Sequence, residues 1–162
     1  MANVLYMAIS RDGFIAGTDD ETPWSDAAWE DFAKFVQSCD IVLLGRRTFE
    51  IMRDGNEFVK GPQYIVVTED ELLDTGGLNT LAIGSKHDMP AAGKVGIIGG
   101  GELNGRLAML GVLDEMILVI EPMDLGEGVR LFGSYEVPLK LELLGSAQLG
   151  ETTVRRHFKV SR

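Results

Sequence analysis

The chain has 162 residues, enough for one domain spanning 1–162 to bury a sheet and its helices without disulfides or metal. With 45% hydrophobic and 25% charged residues the composition is that of a globular protein, which sets disordered and fibrous classes aside. A formal charge of −10, scattered and not blocked, lacks the basic footprint of a nucleic-acid binder, and no apolar run approaches the roughly 20 residues that span a bilayer.

Residues 1–10 show no basic region followed by a long apolar run, so no signal peptide is expected. The run Val4-Leu5-Tyr6-Met7-Ala8-Ile9 reads as a strand buried on both faces, stopped by Ser10-Arg11-Asp12-Gly13. Ser25 can cap a helix to about residue 38, with Trp29, Phe32, Ala33 and Val36 at helical spacing. Residues 40–44 form the next strand, breaking at Gly45, and a short helix covers about 47–52. Cys39, the single cysteine, sits among apolar residues and reads as a packed thiol in a reducing cytoplasm.

Further strands are expected at 64–67, 80–83 and 95–98, the last ending in Gly99-Gly100-Gly101 before a helix at about 102–110. This alternation predicts a mainly parallel sheet with helices on both faces. Strands at 115–120, 139–149 and 152–160, with a turn at Leu149-Gly150-Glu151-Thr152, predict an antiparallel finish. No linker and no internal repeat is visible.

Two strand-to-helix junctions carry the chemistry, Gly45-Arg46-Arg47-Thr48 and Gly99-Gly100-Gly101-Glu102-Leu103. A helix N-terminus presents unpaired N–H groups and a partial positive charge, and Gly lets a phosphate reach them. Taken singly, the first junction is also compatible with solvated arginines and the second with a tight packing turn. In a parallel sheet both lie along one edge and can face one pyrophosphate. Neither is a Walker loop or a Rossmann fingerprint.

These residues resemble the dihydrofolate reductase superfamily, and within it proteins similar to the reductase half of the bifunctional riboflavin-biosynthesis deaminase/reductase, the RibD C-terminal domain. The anchors are Ala8 through Ala16, Gly45-Arg46-Arg47-Thr48-Phe49-Glu50, Ile97 through Leu103, Gly111-Val112-Leu113-Asp114-Glu115-Met116 and Asp124 through Phe132. The resemblance implies the three-layer α/β fold of that superfamily and NADPH as cofactor, with NADH the alternative because Glu69 and Glu102 are acidic. It further implies that Gly45, Arg46, Arg47 and Thr48 hold phosphates, Arg46 the 2′-phosphate. Gly99, Gly100, Gly101, Glu102 and Leu103 would hold the pyrophosphate side, with a cis peptide between Gly99 and Gly100. Ala8 and Ile15 would border the nicotinamide, Thr68 would sit near the adenosine, and relatives often form homodimers.

The carboxylate that steers protonation in folate reductases falls, counting back from the Gly-Arg-x-Thr turn, on Trp29, which argues against dihydrofolate. Asp26, Glu30 or Asp31 could replace it; acidic residues in a first turn also simply complement the helix dipole. Glu121, at a strand end before Pro122, is a second candidate proton donor or else a solvated carboxylate. Trp24 and Trp29 either wall a flat substrate or belong to the core. His87 and His157 show no ligand spacing, so no metal is expected.

The expected function is therefore an NAD(P)H-dependent reductase of a small heterocyclic or carbonyl substrate. Its narrower form is the pyrimidine reductase of the riboflavin pathway, for whose substrate phosphate only Arg11, Lys60 and Arg130 are free. The alternatives are a dihydrofolate reductase with an altered proton route and a non-catalytic pyridine-nucleotide-binding module.

Overall fold

The structure, a computed structural model, describes residues 1–161. In chain order the elements are β1 (Ala2–Ile9), β2 (Phe14–Ala16), α1 (Asp26–Gln37), β3 (Ile41–Gly45), α2 (Arg46–Asp54), β4 (Gln63–Val67) and β5 (Asn79–Leu81). There follow β6 (Lys94–Ile97), α3 (Gly101–Leu110), β7 (Glu115–Ile120), β8 (Val129–Arg130), β9 (Lys140–Leu149) and β10 (Thr153–Ser161).

The main sheet has eight strands in the order β5-β4-β3-β6-β1-β7-β10-β9. Every pairing from β5 to β7 is parallel, and β10 runs antiparallel to both β7 and β9. This is the expected mixed, mainly parallel sheet with its C-terminal hairpin, and it is a dihydrofolate-reductase-like fold. Two short strands, β2 and β8, pair apart from it as a second antiparallel sheet that sequence periodicity did not indicate.

Alternation along the buried strands divides the core. Val4, Tyr6, Val42, Leu44, Tyr64 and Val66 face α1 and α2, while Leu5, Leu43, Ile65, Val95 and Ile97 face α3. Ser25 caps α1, its Oγ accepting from the Ala28 N–H, with Asp26 in the first turn and Lys34 in the last, each complementing the helix dipole. Cys39 is buried and its thiol donates to the Phe35 carbonyl; burial raises its pKa, as suits a packed thiol.

Strand β9 is the sheet's outer edge and is largely exposed, including Leu141, Leu143 and Leu144. Among the described residues no helix is long and apolar enough to cross a membrane.

Candidate active site

Strands β3 and β6 are neighbours and run the same way, so their C-terminal ends deliver α2 and α3 to the same edge. Both helices start on glycine, Gly45 and Gly100, and neither has a side-chain cap, in contrast to α1. The first-turn amides of α2 and α3 are thus left for another acceptor.

The two junctions touch. The Gly45 N–H donates to the Gly99 carbonyl at 2.7 Å, and the Gly99–Gly100 peptide is cis, as the resemblance implied. Thr48 Oγ1 faces the same turn, 3.4 Å from where a Cβ on Gly100 would stand. Gly101 is glycine for a packing reason: a Cβ there would strike the Arg130 carbonyl and lie 2.9 Å from the Gly133 nitrogen.

Above this edge lies a cleft of about 610 Å³. Ala8, Ile15, Gly45, Arg46, Arg47 and Thr48 line it, and so do Gly100, Gly101, Glu102, Leu103 and Trp29. Gly99 stands just behind the lining, acting through its carbonyl on Gly45. Thr68 does not line the cleft; its N–H donates to the Leu81 carbonyl and its Oγ1 accepts from the Asp70 N–H.

The arginines reach the cleft already paired. Arg46 bonds Glu50 at 3.1 Å and Asp70 at 2.8 Å, and Arg47 pairs with Asp20. These pairs are largely exposed, so solvent screens them and an incoming phosphate can compete for the guanidinium. Glu102 lines the cleft with its carboxylate held by Ser134, accepting from that residue's N–H and hydroxyl.

The structure moves two of the three expected catalytic residues off the cleft. Asp31 accepts from the Tyr6 hydroxyl at 2.7 Å and from Arg155 Nε at 3.1 Å, so it ties α1 to β1 and β10. The Tyr6 pKa is raised, first by burial and then by this bond to Asp31. Glu121 is 2% exposed and accepts from the Ser25 N–H, the Ser25 hydroxyl and the Thr153 hydroxyl. It is neither a cleft acid nor a solvated carboxylate but the anchor of the α1 N-terminus.

Two features escaped the sequence. Arg106 lines the cleft near Glu69, 3.6 Å away; its place on the Glu102 and Leu103 face of α3, three and four residues on, was a readable signal. The cleft also has an apolar end, formed by Tyr6, Trp24, Trp29, Phe32, Ile51 and Met52.

Comparison with known proteins agrees with the resemblance. Residues 87–155 match the model of the RibD C-terminal domain. Over 167 residues the chain is 28% identical to the uncharacterized protein YwjB of Bacillus subtilis (strain 168), covering 96% of this chain and 95% of that one. Among solved structures, a pyrimidine reductase-like protein from Corynebacterium diphtheriae NCTC has a TM-score of 0.78 at 14% identity, over 99% of this chain and 92% of that one. Dihydrofolate reductase from Enterococcus faecalis, complexed with NADP(H) and RAB-propyl, has a TM-score of 0.73 at 18% identity, covering 99% and 97%. Matches at this identity establish the fold, and the RibD C-terminal model covers the chain from the turn before β6 into β10.

Proposed function

We propose that the chain is an NADPH-dependent reductase of the riboflavin-pathway kind, acting on a small flat heterocycle or carbonyl compound. One observation carries this reading: two uncapped, glycine-started helices are joined by the Gly45–Gly99 hydrogen bond and open on one cleft that continues into an apolar end. The residues present fit the cofactor. The α2 and α3 amides, with Thr48, would hold the pyrophosphate, and Arg46, Arg47 and Arg106 would receive the remaining phosphate charge.

When bound, the cofactor supplies the hydride. Ala8 and Ile15 would set the nicotinamide against the substrate, and the aromatic end would exclude water and orient the acceptor ring. A cleft of about 610 Å³ that adds aromatic walls to the two glycine junctions supports turnover over a binding module that merely holds the cofactor.

The test is a titration with NADPH and NADH of the wild type and of Arg46→Ala, followed by nicotinamide fluorescence. NADPH affinity should fall about tenfold in the variant while NADH is unaffected, because a charge-assisted phosphate contact is lost. Failure of the wild type to bind either cofactor, or equal weakening of both, would contradict the proposal.

Self-association belongs to the same reading. The edge strand β9, with Leu141, Leu143 and Leu144 exposed, would pair with β9 of a second copy. Light scattering over a concentration series should give twice the chain mass; a monomer throughout would rule the pairing out.

A further inference from the structure

Resting on the NADPH reading, we infer that the apolar end of the cleft selects a flat heteroaromatic cation, a ring containing a C=N⁺ group, that carries no phosphate. Four observations converge on this ligand chemistry.

The first is the distribution of charge. Each arginine lining the cleft belongs to α2 or α3 and is already near a carboxylate. The free basic candidates, Arg11, Lys60 and Arg130, do not line the cleft at all, and Arg11 is held by Asp124 at 2.8 Å. With these arginines engaged by the cofactor phosphates, a phosphorylated substrate would find no further basic side chain among the described lining residues.

The second is Glu57. It lines the cleft and also an adjoining cavity of about 220 Å³, which it shares with Trp29, Phe32, Ala33 and Val59. Among the described residues its carboxylate has no hydrogen bond and no ion pair. A negative charge without a partner, at the join of two aromatic-walled spaces, attracts cations and repels anions.

The third is the wall itself. Trp29 and Phe32 pack edge to face with ring centroids 5.8 Å apart, and Trp24 and Tyr6 complete the aromatic lining. Aromatic faces hold cationic rings better than anionic ones because of their quadrupole.

The fourth is that, among the described residues, no carboxylate of α1 lines the cleft, and neither does Glu121. Trp29 occupies the position that resembles the folate-reductase carboxylate, Asp31 is committed to Tyr6 and Arg155, and Glu121 is buried under Ser25 and Thr153. A C=N⁺ ring requires no proton from the protein. The ring carbon receives the hydride, the π pair of the C=N⁺ bond returns to nitrogen as a lone pair, and the substrate leaves neutral. Bound NADPH would supply the hydride and leave as NADP⁺, and no protein acid would be needed.

The chain has two tryptophans, Trp24 and Trp29, and both line the cleft, so saturable quenching of intrinsic emission reports this site. The probes are three ligands on one ring system: 1-methylquinolinium, quinoline and quinoline-4-carboxylate. The cation should bind about tenfold tighter than the carboxylate, with quinoline between them, and Glu57→Gln should bring the cation to the level of quinoline while leaving quinoline itself unchanged. Glu57 is exposed, so this replacement leaves the fold intact, which the unchanged quinoline affinity verifies.

Equal or tighter binding of the carboxylate, or a cation preference that survives Glu57→Gln, would overturn the inference. A parallel NADPH titration separates the two proposals: cation selectivity without NADPH binding would sink the reductase reading alone, and NADPH binding without cation selectivity would sink this one alone.

Discussion

The two ends of the cleft are built from different materials. At the end proposed for the cofactor the exposed groups are backbone amides delivered by glycines at two helix starts, and the side chains that gather there are charged and paired. At the other end the surface is side chain, aromatic and aliphatic, with Glu57 as its charged group. Backbone geometry can grip a phosphate group that never changes, whereas side chains can be exchanged to fit different rings. On the proposed reading, the difference would let the cofactor grip stay fixed while the substrate end varies.

The comparison breaks most severely where the fold supports either end. Glu121→Ala removes the acceptor for three donors at the α1 N-terminus, the buried Thr153 hydroxyl among them, a loss of about 3 kcal/mol. Chemical denaturation should register that loss. A catalytic role for Glu121 would instead leave stability intact and abolish turnover.

At the cofactor end the backbone itself can be challenged. Gly101→Ala would drive a Cβ into the Arg130 carbonyl and the Gly133 nitrogen, at a cost of about 2 kcal/mol. Thermal unfolding should show it, and NADPH binding should weaken in the protein that remains folded because α3 must shift. Full stability in this variant would mean that the 130–133 turn yields easily.

A smaller effect tests the frame beneath the apolar end. Tyr6→Phe removes the hydroxyl that donates to Asp31 but leaves Arg155 on that carboxylate, so it should cost about 1 kcal/mol. Denaturation reads this directly, and a loss above about 3 kcal/mol would mean that the Asp31 to Arg155 pair collapses with it.

The smallest expected effect depends on pH. The Ser10 hydroxyl, with the Gly126 and Leu125 amides, holds the Asp12 carboxyl down to about 2, below its ordinary value of 3.8. A depressed carboxyl contributes stability that is fully present above the unfolded value and is lost as pH falls through the folded one. The Gly126 amide resonance should therefore titrate with a midpoint near 2, and Asp12→Asn should remove that transition. A midpoint at or above the ordinary aspartate value would contradict the anchoring of this loop.

Much of this architecture was legible in the sequence because long apolar runs and helical spacing are local signals. Residues 4–9, 40–44 and 64–67 declared themselves as buried strands, and Ser25 as a cap. Strands β2 and β8 did not, since three and two residues are too short to show a period. Glu121 was misjudged for a different reason: its partner Ser25 lies 96 residues away, and no local pattern reveals a contact between a strand end and a distant helix cap. Asp31 failed similarly, because Arg155 approaches from the last strand. The glycine junctions were legible as strand-to-helix turns on one sheet edge since that meaning is positional, at the ends of parallel strands.

The most direct test of the central claim is energy transfer from Trp24 and Trp29 to bound NADPH. The account predicts that NADPH quenches tryptophan emission with sensitised nicotinamide fluorescence, in saturable fashion, and that a Trp24→Phe, Trp29→Phe double variant binds NADPH but loses the transfer. Bound NADPH with no transfer in the wild type would place the nicotinamide away from the apolar end and contradict the account.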